Sequence, residues 1–365
     1  MKRRLTSSKI LIVTAAIVAA VLLLLGLTLP SKSRRLGPAG HDWNTNVIRG
    51  VFHVHSRISD GSGTVDEIAA VAASIGLDFI ILTDHGDGTL GTRSSYRDGV
   101  LVIEGVEIST DGGHYIALGL PPAPYPLGGD QKGVVEDVRR LGGFGVVAHP
   151  ESANETLAWT DWDSPVSGVE WINGDNQWRD NGVLTLIGVF ARYWLRPTES
   201  LASLLSRPVR GLGAWDAVTR ERPVVGIAGT DAHAQLIPGF TENEETDGLE
   251  FRFPSYESMF QALGVRVELR EALSGNAGRD TTQLIAQLSA GQSFVAVDAI
   301  AEPALFSYTG TLSDGRTVDM GESVLPGQSL TLSANLSTPT ETTLRLLKNG
   351  ETISEVQGNQ LTYFS

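Results

Sequence analysis

The chain has 365 residues, enough for two domains or for one large domain with an appended module. It contains no cysteine, which excludes disulfides and cysteine-bound zinc or iron–sulfur sites, so a metal site must use His, Asp and Glu. Residues 1–38 carry seven basic residues and no acidic one, which leaves 21 basic against 42 acidic residues in the rest. Such an acidic body repels nucleic acid, which we therefore expect not to be a partner.

Residues 10–29 form a run of 20 residues without charge. As a helix, the run would span about 30 Å, the thickness of a bilayer core. Basic residues precede it, which favours a cytoplasmic amino terminus. We predict an uncleaved membrane anchor with the body outside the cytoplasm. A cleaved signal peptide, which would leave the body secreted, is the alternative. A polar linker follows over residues 31–46.

Strand and helix patterns alternate from residue 47 onwards. A capping box at Thr64 begins a helix, and three further helical segments are predicted at residues 132–141, 178–222 (with breaks at Pro197 and Pro208) and 280–289. Buried-type strands are predicted at residues 51–55, 78–83, 100–107, 114–120, 144–148, 168–172, 224–228 and 293–297. Repeated strand–helix units predict an α/β fold with a mainly parallel sheet, closed or nearly closed into a TIM-like barrel.

The pattern changes near residue 302 to Thr, Ser, Leu and Val with frequent turns. Residues 344–348 and 351–356 flank Asn349-Gly350, a strong hairpin signal. We therefore predict a small antiparallel β-sandwich-like module over residues 302–365. Residues 39–301 would form the main domain, and residues 1–38 the anchor or signal and the linker.

Six of the seven histidines lie at or next to predicted strand ends; only His41 lies in the linker. His53 and His55 would share one face of a strand about 7 Å apart, because side chains alternate with period two. The carboxyl ends of barrel strands meet at one rim. Each residue alone could be structural, but the set predicts a site for two or three metals. Its members are His53, His55, His85, His114, His149 and His233, with Asp60, Asp84, Glu107 and Asp231 beside them.

These motifs resemble those of the PHP (polymerase and histidinol phosphatase) superfamily. The residues that carry the resemblance are His53-x-His55, Thr83-Asp84-His85, Gly105-Val106-Glu107, His114, Ala148-His149-Pro150 and Thr230-Asp231-Ala232-His233. The anchor, the Trp- and Arg-rich segment and the β module are most similar to the subgroup named after carbaryl hydrolase. The resemblance implies a distorted (β/α)7 barrel.

The resemblance also implies a trinuclear centre of divalent zinc, manganese or iron. The first metal would take His53, His55, Glu107 and Asp231; the second Asp60, His85 and His233; the third Glu107 as a bridge, His114 and His149. Asp60 stands where some family members have a histidine. Imidazole and carboxylate ligands suit all three metals and do not select one.

The site predicts a hydrolase that activates water, first of all a phosphoesterase acting on a small phosphorylated molecule. Asp231 would accept or relay the proton of the nucleophile. Arg57, in the loop between ligands, would either pair with a phosphate oxygen or be a solvated loop residue. Glu170 ends another strand and would either hold a metal ligand or the substrate, or have a structural role. The alternatives are hydrolysis of a carbamate, amide or aryl ester, and a surface-binding protein without catalysis. Hydrolysis at a carbon centre, as in a carbamate, amide or aryl ester, would be favoured if five tryptophans line the pocket. These are Trp159, Trp162, Trp171, Trp178 and Trp194.

Overall fold

The computed structural model describes residues 7–35, 43, 46–235, 252–303, 305–337 and 342–365. Much of the predicted linker, including His41, lies outside the described residues. The described helices are α1 (Ser7–Thr28), α2 (Val65–Ser74), α3 (Gln131–Arg140), α4 (Gly174–Arg179), α5 (Val183–Tyr193), α6 (Pro197–Ala202), α7 (Val209–Thr219), α8 (Tyr256–Ala262) and α9 (Ala277–Ser289).

The strands of the main body come first in chain order. They are β1 (Arg34–Arg35), β2 (Val47–Val54), β3 (Phe79–Leu82), β4 (Arg93–Arg97), β5 (Val100–Glu104), β6 (Val106–Thr110), β7 (Gly113–Leu118), β8 (Phe144–Val147), β9 (Gly168–Asn173), β10 (Val225–Gly229), β11 (Gly264–Glu268) and β12 (Ser293–Ala296). The later strands are β13 (Ala301–Glu302), β14 (Phe306–Leu312), β15 (Thr317–Val318), β16 (Leu330–Leu336), β17 (Thr343–Lys348), β18 (Glu351–Gln357) and β19 (Gln360–Phe364).

Helix α1 contains a stretch, Leu11–Thr28, that is long and apolar enough to cross a membrane. None of that stretch is buried against the rest of the described chain. An apolar helix of this length that the rest of the described chain does not bury is typical of a membrane anchor or of a signal sequence.

The main body is built on two open sheets. One has the order β12-β11-β2-β3-β5-β4, and the other has the order β10-β9-β8-β7-β6. Parallel pairs join β2 to β3, β3 to β5, β8 to β9 and β9 to β10, whereas β4, β7, β11 and β12 pair antiparallel with their neighbours. The predicted α/β class is confirmed, but the predicted mainly parallel sheet is wrong, because five of the nine strand pairs in these two sheets are antiparallel.

The predicted barrel is not confirmed, because neither sheet closes on itself. Two isolated parallel bridges, Val54 with Ala232 and His85 with Glu107, connect the sheets at one end. The single strand predicted over residues 100–107 was wrong: it divides at Gly105 into β5 and β6, which lie in different sheets. A Cβ atom at Gly105 would lie 2.5 Å from Leu118 Cδ2 and 2.9 Å from the backbone oxygen of Ala117, so a larger residue would be crowded where the chain changes sheet.

Apolar side chains fill the space between the sheets and cover their outer faces. Alternate residues of β2 show this division, because Phe52 packs in the inner cluster and Val51 packs in the outer one with Ile68 of α2. Burying a side chain of this size stabilises the fold by about 1.5–3 kcal/mol. The strands are therefore held from both faces, and their ends provide a rigid support for polar side chains.

Two predicted local structures are confirmed. The side chain of Thr64 accepts a hydrogen bond from Glu67 N at 3.2 Å, and Glu67 Oε2 accepts one from Thr64 N at 2.9 Å, which is the capping box at the start of α2. The Asn349-Gly350 turn joins β17 to β18, with Lys348 opposite Glu351. This hairpin packs on an antiparallel sheet of order β15-β14-β16-β19.

Candidate metal centre

The nine predicted metal ligands come together at the end where the two sheets are bridged. His53 lies on β2, Glu107 on β6 and His114 on β7. The other six lie in segments that follow strands: His55 and Asp60 after β2, His85 after β3, His149 after β8, and Asp231 and His233 after β10. Residues from both sheets therefore contribute to one polar cluster.

Glu107 is the centre of this cluster, and its side chain is only 1% exposed. Its two oxygens face five imidazoles: Oε1 lies 2.9 Å from His114 Nδ1 and 3.0 Å from His149 Nε2, and Oε2 lies 3.4 Å from His53 Nε2, 3.2 Å from His55 Nε2 and 3.4 Å from His85 Nδ1. A carboxylate shared in this way is suited to bridging cations.

Asp231 lies on the other side of the first two histidines. Its Oδ1 is 3.3 Å from both His53 Nε2 and His55 Nε2, and 3.6 Å from His233 Nδ1. Its Oδ2 accepts a hydrogen bond from Asn173 Nδ2 at 3.2 Å. One oxygen of Asp231 thus points into the histidine cluster while the other is held by the surrounding fold.

Asp60 occupies the more open side of the cluster. Its Oδ1 is 3.2 Å from His55 Nδ1, and its Oδ2 is 3.2 Å from His233 Nε2 and 3.6 Å from His85 Nε2. The side chains of Asp60 and His85 are 23% and 34% exposed, whereas those of His53 and His55 are almost completely buried. This side offers the route by which solvent and a ligand reach the centre.

Strand alternation alone does not bring His53 and His55 together. His53 has a φ of +67°, and the register between β2 and β3 shifts at this point. The shift turns the two side chains toward each other, so that their Nε2 atoms lie 3.0 Å apart. His149 and Asp231 also have positive φ values, +28° and +51°. Non-glycine residues rarely adopt such backbone angles, and they collect at functional sites where the fold can hold them.

Glu170 and Asn173, both on β9, support the cluster from behind. Glu170 Oε1 lies 2.7 Å from His53 Nδ1, and Oε2 accepts hydrogen bonds from His149 N at 2.7 Å and from Asn173 Nδ2 at 3.0 Å. A Cβ atom at Gly229 would lie 1.8 Å from Glu170 Oε1, so only glycine leaves room for this contact. The sequence had left the role of Glu170 open and had not identified Asn173, whose only signal was its position at the end of the same strand.

Asp84 holds the loop that carries Asp60. Its carboxylate accepts hydrogen bonds from Ser56 N at 2.8 Å, Ser56 Oγ at 2.7 Å and Ser59 Oγ at 2.6 Å. Arg57, the predicted partner of a substrate phosphate, is an exposed residue of the same loop, and its Nε donates to Ser62 O at 2.7 Å. The loop thus places Asp60 at the cluster and Arg57 at the surface.

Burial and charge have opposite effects on the ionisable groups of the cluster. Burial by itself lowers the pKa of His53, but the carboxylates of Asp231 and Glu170 raise that pKa well above its ordinary value. Burial by itself raises the pKa of Glu107, but the surrounding imidazoles hold that pKa well below its usual range. Burial by itself also raises the pKa of Asp231, but His53, His55 and His233 hold that pKa well below its usual range. The carboxylates are therefore ionised and need positive charge close by.

The donor set fits divalent cations. Groups of three ligand atoms lie within 4.8 Å of one another: His53, His55 and Glu107; His53, His149 and Asp231; His55, Asp231 and His233; His55, Asp60 and His85; His85, Glu107 and His114. Buried ionised carboxylates are costly without a counter-charge, and bound cations would supply it. Nitrogen and oxygen donors of this kind suit zinc, manganese and iron.

One sequence relative and several solved structures are similar to this chain. No family model matches the chain. The chain is similar to a nucleoside bisphosphate phosphatase. It is 33% identical over 102 residues to the 3′,5′-nucleoside bisphosphate phosphatase of Chromobacterium violaceum. The match covers 25% of this chain and spans only 36% of the length of that relative.

Several solved structures are also similar to this chain. A two-domain protein from Bacteroides vulgatus that contains a predicted PHP-like metal-dependent phosphoesterase aligns over 92% of this chain and 89% of its own, at 15% identity and a TM-score of 0.44. A lesion-specific endonuclease from Pyrococcus furiosus aligns over 65% and 56%, at 13% identity and a TM-score of 0.37. An amidohydrolase from Chromobacterium violaceum, with bound sulfate and no metal, aligns over 50% and 87%, at 15% identity and a TM-score of 0.33.

Proposed function

We propose that this chain is a metal-dependent phosphoesterase of the PHP type that acts on a small phosphorylated substrate. The observation that carries the proposal is the position of Glu107, whose two buried oxygens lie within 3.4 Å of ring nitrogens from five histidines. A carboxylate has about four lone-pair positions, so five surrounding imidazoles exceed what hydrogen bonding alone requires, and such a set of nitrogen donors is typical of a metal site. The similarity to a phosphatase supports phosphorus as the reaction centre.

The nine ligands divide into three sets in this proposal. His53, His55, Glu107 and Asp231 hold a first ion; Asp60, His85 and His233 hold a second; Glu107, His114 and His149 hold a third. Bound divalent ions supply Lewis acidity to the phosphoryl oxygens and make water a better nucleophile near neutral pH. Two bound ions are enough for the proposed reaction. We expect the more exposed set, which contains Asp60, to bind its ion most weakly.

The protein's own residues orient the reaction. Asn173 fixes Asp231 through Oδ2, which leaves Oδ1 toward the histidines, where it accepts the proton of the attacking water. Glu170 fixes the ring of His53 by accepting from Nδ1, so that Nε2 faces the centre. Arg57, exposed in the loop before Asp60, pairs with a substrate phosphate oxygen as the substrate enters.

The tryptophans support a phosphoester over a carbon-centred substrate. Trp159 is buried against Tyr115, with ring centroids 5.7 Å apart, and Trp162 and Trp171 pack against the core clusters. Trp178 lines a groove beside α5, and Trp194 is exposed at the end of that helix. These positions give packing roles to three of the five. Membership of the carbaryl-hydrolase subgroup, and its carbon-centred substrates, therefore stay predictions.

We also propose that α1 is an uncleaved anchor, that the catalytic body lies outside the cytoplasm, and that the chain divides into anchor, main domain and β module as predicted. The unburied apolar stretch Leu11–Thr28 supports the anchor. Extraction of cell membranes followed by amino-terminal sequencing tests it. Recovery of the intact amino terminus in the membrane fraction is expected, whereas a soluble chain that starts beyond Thr28 would establish a cleaved signal.

The catalytic proposal is tested with the metal-loaded full chain and three chromogenic substrates. We expect hydrolysis of para-nitrophenyl phosphate in manganese or zinc, and less or none of naphthyl acetate or a naphthyl carbamate. The His53→Ala/Asp231→Ala variant should lose at least about 10³-fold in rate, because it removes a ligand pair and the proton acceptor. Unchanged activity in that variant, or preferential ester hydrolysis by the parent chain, would contradict the proposal.

A further inference from the structure

Helix α5 has one face packed on the body and one apolar face in the open. Val189 and Tyr193 are buried, and the Tyr193 ring packs against Phe253 with centroids 4.6 Å apart. The opposite face and the residues just after the helix expose large apolar side chains: Val183 (73%), Leu184 (86%), Ile187 (60%), Trp194 (60%) and Leu195 (59%). Helix α5 contains no acidic residue. An exposed apolar patch of this extent marks a contact with a protein or a membrane.

The end of α1 lies directly against the end of α5. Arg192 Nη1 donates a hydrogen bond to Thr28 O at 3.1 Å, and Arg196 Nη1 donates one to Pro30 O at 2.7 Å. Ser33 Oγ donates to Asp298 O at 2.5 Å, which fixes the following residues of the chain to the main body. The point where the apolar helix ends is therefore attached to α5 by guanidinium groups.

This attachment determines the height of α5 relative to a bilayer. The apolar stretch of α1 ends at Thr28, so if α1 spans the membrane, Thr28 lies at the boundary between hydrocarbon and headgroups. Arg192 contacts Thr28 and therefore lies at the same level, as does Trp194 two residues further on. Tryptophan prefers this boundary, and arginine can extend from it toward lipid phosphates.

We propose that the exposed face of α5 is seated in the membrane surface beside α1, with lipid as its occupant. The inference rests on the proposed insertion of α1 but does not depend on the reaction that the metal centre performs. A groove of about 270 Å³ opens along α5 and is lined by apolar side chains, among them Val183, Ile187, Phe190 and Pro254, which suits lipid chains. The basic end of the helix also matches anionic headgroups.

The absence of native cysteine allows a direct test on the full chain. Three single-cysteine variants are prepared, and each is labelled with one environment-sensitive fluorophore. The variants are Leu22→Cys in α1, Ile187→Cys in α5 and Leu90→Cys between β3 and β4. All three side chains are at least 60% exposed, so labelling leaves the core unchanged. The labelled chains are placed one per nanodisc, with and without spin-labelled phosphatidylcholine. We expect strong quenching at positions 22 and 187 and little at position 90.

The outcomes separate the anchor from the docked helix. If the label at position 22 is quenched but the label at position 187 is quenched as little as the label at position 90, the anchor is supported and the docking proposal is overturned. No quenching at position 22 would remove the anchor and the inference with it. A blue-shifted but unquenched label at position 187 would mean that protein, such as a second copy, covers α5. In the Ile187→Cys background, Leu184→Asp should at least halve the quenching, because a carboxylate opposes burial in lipid.

Discussion

Glu170 Oε1 lies 2.7 Å from His53 Nδ1, and both side chains are fully buried. The contact fixes the imidazole, because a proton on Nδ1 is held by the carboxylate and Nε2 is left for the centre of the cluster. The other oxygen of Glu170 accepts from His149 N at 2.7 Å. A single carboxylate therefore orients two proposed metal ligands, one on β2 and one in the segment after β8.

Replacing this carboxylate should weaken metal binding without abolishing the fold. In Glu170→Gln, only one of the two groups can still accept, so either the His53 ring or His149 N loses its partner and faces an NH2 donor instead. We expect about a 10- to 100-fold loss of metal affinity, the usual effect of removing such a supporting partner. Titration against a competing chelator measures it. The control is Glu104→Gln, a partly exposed carboxylate at the end of β5, and an equal loss there would contradict the prediction.

Glu107 should matter more for metal content than any histidine at the edge of the cluster. Glu107→Gln removes a charge that faces five imidazoles, whereas His114→Ala removes one ligand. We expect Glu107→Gln to lose at least two equivalents of metal and His114→Ala to lose about one. Metal analysis of the purified proteins after dialysis distinguishes the two. Equal loss in both variants would show that Glu107 does not bridge.

Asp84 should stabilise the loop that carries Asp60. Asp84→Asn replaces a charged acceptor of hydrogen bonds from Ser56 and Ser59. We expect the free energy of unfolding of the metal-free protein to fall by about 1–3 kcal/mol. Urea denaturation measures it. The matched control is Asp87→Asn, whose carboxylate accepts hydrogen bonds from the backbone and side chain of Thr89 within the same loop. A similar loss of stability in the control would refute the role of Asp84.

Metal binding should release protons. The pKa values of His53 and His55 are raised in the metal-free protein, because nearby carboxylates outweigh the effect of burial. The charged imidazoles stabilise the metal-free fold at low pH, and this contribution is lost as pH rises through the raised pKa values. A cation needs the neutral ring, so its affinity should rise with pH. Calorimetry in two buffers of different ionisation enthalpy counts the protons, and identical heats would contradict release.

The ion pair of Arg266 and Asp298 should hold β11 in the first sheet. Arg266 is 2% exposed and Asp298 is 5% exposed, and Arg49 also reaches Asp298 at 3.2 Å. Asp298→Ala would leave a buried guanidinium without its counter-charge, at a cost of about 3–5 kcal/mol of unfolding free energy. Chemical denaturation measures this cost. The exposed pair of Arg279 and Glu271 is the control, for which Glu271→Ala should change stability little.

The buried pair also explains why strand β11 is not predicted by the local sequence. Residues 264–268 contain Val265 and Val267 in alternation, but Arg266 between them suggests a solvent-exposed face. The fold buries Arg266 instead, because Asp298 lies beside it. A charged residue in a short strand pattern can be assigned to the core only when its buried partner is known. For Arg266 that partner is 32 residues further along the chain.

Local sequence determined much of this protein. The Asn349-Gly350 turn, the capping box at Thr64 and the apolar run of α1 each depend on neighbouring residues, and the structure has all three. The positions of the histidines at strand ends were also readable, because strand period and turn composition are local properties.

Tertiary structure alone decided how those strands pair. The change of sheet at Gly105, the positive φ of His53 and the contact of Glu170 with His53 all depend on chain segments distant in sequence. The sequence placed Glu107 beside predicted ligands, but only the fold sets its two oxygens against five imidazoles. The physical reason is that sheet order and buried ion pairs are selected by the packing of the whole core, which no short segment encodes.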